Sequence, residues 1–317
     1  MSLLMVLILL QGSSFAAFQT SAMTASRDAA YFEFHSNFWV NLHQALFFKA
    51  VSEDKTTSTK EGLSASAAWI AAVDFYREHF KGRSLLFDKQ LIQINDLLAA
   101  QPDNGNSLDA SGLPPDLAKI LQSAASSYHP LWPEADAHNR LWIKEMEPKV
   151  VALAPTVVPE LEMQLGMSWP EKPIRVDLSY YVHEIGQAYT TDDPPHSTIS
   201  STNAQNHGLA GLEIVFHEAT HTMSRKVESA LAAECRSQKK DCGDLWHALL
   251  FYTVGNAIQQ NLPENERGKF TPYAYRFGLY NHDAWKTYRV VLEKDWQPYL
   301  GGQVGFDSAI RRLVGDL

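Results

Sequence analysis

Cysteine is nearly absent from this chain: its 317 residues include only Cys235 and Cys242. With no second Cys or His pair at finger-like spacing around them, the two thiols offer no zinc-finger site. They enclose a polar loop, Arg236 to Asp241, between two apolar-periodic segments. In an exported protein such a pair closes a disulfide, Cys235–Cys242, with free thiols as the alternative. A surplus of positive charge is missing too, since 27 Lys and Arg stand against 36 Asp and Glu, for a net charge of -9. That balance builds no field to gather phosphate backbones, which argues against nucleic acid as a partner.

Long apolar runs are also missing. A bilayer span takes about 20 apolar residues, and the run Met1–Leu10 is roughly half that, so no stable membrane span is expected. Followed by Gln11 and small residues to Ala17, the run reads as a secretory signal over about residues 1–22, with cleavage between Ala16 and Ala25. No Lys or Arg precedes it, and an N-terminal helix packed on the core is the alternative. A secreted or periplasmic location follows from the signal reading. Internal repeats and low-complexity tracts do not occur, and no linker is long enough to mark a domain boundary.

What remains is rich in helical periodicity. Phe34, Phe38, Leu42, Ala45 and Leu46 predict a buried helix over residues 29–50. More helix is predicted at 64–79, 90–100, up to Ser127 and over 137–153, with a polar loop from Gln101 to Pro115. The character changes near Pro155. Residues 173–182 alternate in the manner of a strand, Thr191–Pro195 is a turn cluster, and the polar, β-prone stretch His196–Thr202 reads as an edge strand. Leu209, Leu212, Val215, Phe216, Ala219 and Met223 then mark an amphipathic helix expected to run into the 230s. A further helix follows over Leu245–Ile258. The chain is therefore expected to be mainly α, in the α+β class, with a helical region over 26–154 packing on residues 155–317, which carry a small mixed sheet.

The chemistry is concentrated at His217, Glu218 and His221, in the order His-Glu-Ala-Thr-His. Four residues apart on a helix, the two imidazoles share a face and can grip one ion. Zinc suits them, because it takes neutral imidazole nitrogens and keeps a position open when the protein supplies three ligands. Glu218, next to the first ligand, is placed to act as general base on a bound water. Two bystander histidines, paired with nearby carboxylates, are the plainer alternative.

With these residues the stretch Ile214–Met223 resembles the zincin metallopeptidases. The resemblance implies a zinc-activated water attacking an amide carbonyl, and an edge strand that binds an extended peptide or protein substrate by strand addition. The metzincin branch would place Gly and His where this chain has Ser224 and Val227. The gluzincin branch is nearer, because it draws its third ligand from a later helix, and by this likeness residues 155–317 form a zincin-like region. Glu228 would lie about 13 Å along a straight helix from the two histidines, which is too far; Glu234 reaches only if the chain reverses early. Asp244 and His247 share a face of the next helix, and the expected ligand set is His217, His221 and His247, with Asp244 orienting an imidazole or acting as the alternative ligand. A gluzincin would have Glu in place of His247. An oxyanion donor is sought among Tyr273, Tyr275, Arg276 and His282, with Tyr275 preferred. His35 and His43 are expected to be core or rim residues. Hydrolysis of another amide or an ester by the same machinery, and an exported binding protein with a merely structural metal, are the competing functional readings.

Overall fold

Asn37 separates the first strand from the first helix. Its side-chain oxygen accepts from the amides of Trp39 and Val40 at 2.9 and 3.0 Å, two of the donors that a helix start leaves unpaired. In a computed structural model, residues 30–52, 66–110, 112–183 and 187–317 are described; the expected signal segment lies outside them. The first elements are β1 (Phe32–His35) and α1 (Phe38–Val51). The helix expected from residue 29 thus begins later, and the residues ahead of it form a strand. β1 pairs in parallel with β2 (Ile174–Ser179), Phe32 opposite Ile174. Aromatic spacing from Phe34 to Phe38 fits a helix locally, but a ladder to a distant strand overrides it.

Helices α2 (Ala67–Phe80), α3 (Lys89–Ala99) and α4 (Pro115–Tyr128) pack with α1 around Leu42, Leu46, Tyr76, Leu91 and Leu117. Helix α5 (Trp132–Leu165) runs for 34 residues, about 50 Å, through Pro148, Pro155 and Pro159, and stops at Gly166 in a left-handed conformation. It outruns the predicted 137–153 at both ends. The change of character at Pro155 therefore falls inside a helix.

The sheet has the order β1-β2-β4-β3, with β3 (Ala188–Asp192) and β4 (Pro195–Ser200). β1, β2 and β4 are parallel, and β3 is antiparallel to β4, Thr190 opposite Ser197. The polar stretch 196–202 was expected at an edge. It holds β4, an inner strand, and the edge belongs to β3. Its polarity marks a buried network instead of solvent: His196 is bonded on one nitrogen to Asp96 at 3.0 Å and on the other to Asp177 at 2.9 Å, and buried polar groups persist only when partnered in this way.

Then come α6 (Gly208–His221), α7 (Arg225–Gln238) and α8 (Leu245–Asn261). The single helix expected from 209 into the 230s is broken at residues 222–224, just past His221. The Cys235–Cys242 disulfide is formed, and it ties the end of α7 to the approach of α8. Short helices α9 (Glu264–Arg267) and α10 (Tyr273–Arg276) lead to α11 (Asp283–Val291), α12 (Gln297–Leu300) and α13 (Phe306–Gly315). These elements share a second core, around Trp142, Leu161, Phe216, Leu249 and Trp296. The protein is mainly helical with one small mixed sheet, as expected. Among the described residues no helix is long and apolar enough to cross a membrane.

Candidate metal centre

α6 is buried along nearly its whole length, Ala210 to Thr220, because it passes between the sheet, α5 and α8. His217 and His221 therefore point into the protein together, toward the first turn of α8, where His247 meets them. The three rings are nearly equidistant: 5.0 Å from His217 to His221, and 5.2 Å from each to His247. One ring nitrogen from each lies within 4.8 Å of the others. The Nε2 atoms of His217 and His247 are 3.2 Å apart. Two nitrogens bound tetrahedrally to zinc at about 2.0–2.1 Å stand about 3.3–3.4 Å apart, so this pair already has the separation an ion requires.

Electrostatics favour the same use. Burial, and then the neighbouring His221 and His247, hold the His217 imidazole well below its ordinary range. Burial and His247 hold His221 down to about 3. Both are neutral near pH 7, which is the form that ligates a metal. Ring orientation comes mostly from packing: His217 stacks on Phe251 at 3.6 Å and 16°, and His247 lies against Trp246 at 5.1 Å. The Asp244 carboxylate stands 3.5 Å from His247 Nδ1, as a partner of the imidazole and outside the group of three. Among the described residues this is the group of His, Cys and carboxylate side chains with metal-ligand spacing.

Glu218 is buried, and its Oε2 accepts a hydrogen bond from Thr190 Oγ1 at 2.9 Å. Thr190 Oγ1 is in turn 2.9 Å from Ser197 Oγ. A hydroxyl pair spanning β3 and β4 thus holds the carboxylate. Burial pushes Glu218 up to about 7, against the Thr190 bond, which draws it down; a carboxyl poised there can both take and return a proton near neutral pH.

No family model, curated protein or solved structure matches the chain. Any functional reading therefore rests on the site itself, and the zincin likeness on the residues of α6.

The other candidates fall in different places. Tyr275 sends its hydroxyl to Glu293 at 2.7 Å, packs on Tyr280 and lies under Arg289, so its contacts lie away from the three histidines, with residues just before, within and just after α11. Tyr273 is the tyrosine within electrostatic reach of the site: burial, then the charges of Glu213 and Glu218, raise it to about 12. Arg276 lies over the Phe277 ring. The Glu228 carboxylate accepts from Ser224 Oγ, and Glu234 from Gln238 at 2.7 Å; neither joins the three histidines. His43 is buried against Tyr76 at 2.7 Å, and His35 faces Asp103. Sequence reasoning missed Thr190 and Phe251. Phe251 stands four residues after His247 on α8, a spacing that signals a shared face. Thr190 carries no local signal, because only the pairing of β3 with β4 brings it to Glu218.

Proposed function

We propose that this protein is an exported zinc-dependent metallopeptidase whose metal is held by His217, His221 and His247. The observation that carries the reading is the convergence of three imidazoles beside a buried, hydroxyl-held Glu218. The donor set fits zinc: three nitrogens, two of them already at ligand separation, with no charged ligand competing for a harder ion. When bound, such an ion supplies Lewis acidity and lowers the pKa of a coordinated water toward neutrality.

The chain's own residues do the rest. Glu218 accepts a proton from the attacking water and delivers it to the departing amide nitrogen. Thr190 keeps the carboxylate from swinging away by occupying one of its oxygens. β3 is the outer strand beside α6, so an extended peptide laid along its outer side would run past Glu218. That strand favours a peptide over a small amide or ester. Of the two tyrosines Tyr273 is the nearer candidate for an oxyanion donor, through its stacking on Phe251 at 5.6 Å, and its hydroxyl would have to exchange its 3.1 Å bond to Gln205 for the oxyanion. The disulfide suits an oxidising compartment, in keeping with the expected signal.

The test is elemental analysis of the purified protein together with peptide cleavage. Near-stoichiometric zinc is expected in the wild type and in Glu218→Gln, and its loss in His217→Ala and His247→Ala. Glu218→Gln should abolish turnover. A wild type that takes up no zinc after dialysis against the metal would defeat the proposal.

A further inference from the structure

Between α7 and the start of α8 lies a cleft of about 270 Å³. Leu231, Leu245 and the Cys235–Cys242 disulfide form its apolar walls, Trp246 supplies an aromatic wall, and Glu228 is its one ionisable lining group. Glu228, Leu231, Ala232 and Cys235 recur at helical spacing, so one face of α7 builds the whole side. The cleft is one ring away from the three histidines, because Trp246 also contacts the His221 ring at 5.7 Å and the His247 ring at 5.1 Å.

An aliphatic wall, an aromatic face and a carboxylate match one kind of side chain. Lysine and arginine lay a methylene stem along apolar surface while holding a cationic head at a polar end. The same head gains from a Trp face and from a carboxylate. An acidic side chain would meet Glu228 as a like charge, and a small one would leave the apolar walls wet.

We infer that this cleft is the pocket that selects the substrate, and that it takes a basic side chain, lysine or arginine, adjacent to the bond to be cut. The inference rests on the peptidase reading of the metal centre, but its decisive test is binding.

Zinc-loaded Glu218→Gln protein is titrated with fluorescently labelled peptides that carry Arg, Ala or Glu at one varied position in an otherwise neutral sequence. Affinity is read by anisotropy. The Arg peptides should bind at least about fivefold tighter than the Ala peptides, the size expected of a half-exposed ion pair plus a ring contact, and the Glu peptides weakest. Adding Glu228→Gln should shrink the Arg preference to about twofold, and Glu228→Arg should reverse the order of Arg and Glu. Ala232→Trp, a change at an exposed position of the cleft, should erase the preference by filling the space. Equal binding of the three peptides, no binding of any, or an order that survives Glu228→Arg would overturn the inference. Failure of the wild type to cleave a peptide library would instead count against the peptidase reading, and the binding arm would still decide the pocket.

Discussion

Removing the Asp244 carboxylate distinguishes a residue that orients a ligand from one that is a ligand. Asp244 lies one turn before His247 and places Oδ2 3.5 Å from its Nδ1, with the Asp side chain 47% exposed. Groups that orient a ligating imidazole are worth roughly 10–100-fold in metal affinity. A contact at the outer limit of hydrogen bonding, half in water, belongs at the lower end. Asp244→Ala should therefore weaken zinc binding about tenfold, or about 1.4 kcal/mol. Asp244→Asn keeps an acceptor and should lose less. His247→Ala removes a donor outright; taking roughly a quarter of a total of about 10–16 kcal/mol for a protein zinc site, the loss is about a hundredfold or more. Competition for zinc against a chromophoric chelator near neutral pH reads all three. If Asp244→Ala costs as much as His247→Ala, the carboxylate is a ligand. If it costs less than about twofold, the contact orients nothing.

Three further outcomes can be measured. The disulfide closes a short loop, with a sequence separation of 7, and loop closure on that scale is worth about 2.5 kcal/mol; Cys235→Ser/Cys242→Ser should lower the thermal midpoint by about 5–10 °C, and an unchanged midpoint by calorimetry would refute this. Thr190→Val should leave zinc content as it was and reduce turnover about tenfold, as expected for loss of a hydrogen bond to a carboxylate, with Thr190→Ser restoring it; equal activity in both variants would rule out the hydroxyl as the element that holds Glu218. Burial alone would raise the Asp177 carboxyl, but His196 and Arg175 outweigh it and hold it at about 2, against an ordinary 3.8. The stability this confers is present above about pH 4 and is lost as pH falls through about 2. Burial lowers His196, yet Asp177 and Asp96 raise it on balance, so its share is complete below the ordinary imidazole range and fades as pH rises through the folded value. Urea unfolding of the native protein should lose about 2 kcal/mol across the acid window, and Asp177→Asn should flatten that slope; a slope equal in both proteins would count against the network.

The three histidines and Glu218 were legible because their signals are local. Four-residue spacing on one apolar helix needs no knowledge of the fold, and His247 followed from the next helix, where it shares a face with Asp244 and where the likeness to gluzincins seeks a third ligand. What escaped was non-local or lacked a stop signal. β1 looks helical in isolation and becomes a strand by pairing with Ile174–Ser179. β4 looks exposed, because His196 and Ser197 read as surface until Asp96, Asp177 and Thr190 are seen to bond them. The corner after His221 passes through Thr222, Met223 and Ser224 without Gly or Pro, so nothing announced the end of α6. Conversely Pro155 looked like an end, yet α5 carries it inside.

The ligand set and the base have different dependencies on the rest of the molecule. All three imidazoles come from one continuous stretch, α6 to α8, stapled by its own disulfide, whereas the hydroxyl that fixes Glu218 arrives from a strand whose position depends on the whole sheet. A change in the sheet that shifts β3 would therefore release the Thr190 contact to Glu218 before it separates the three imidazoles. On the proposed function, metal occupancy and catalytic competence would be separable, and a loss of activity at full zinc would point to the sheet.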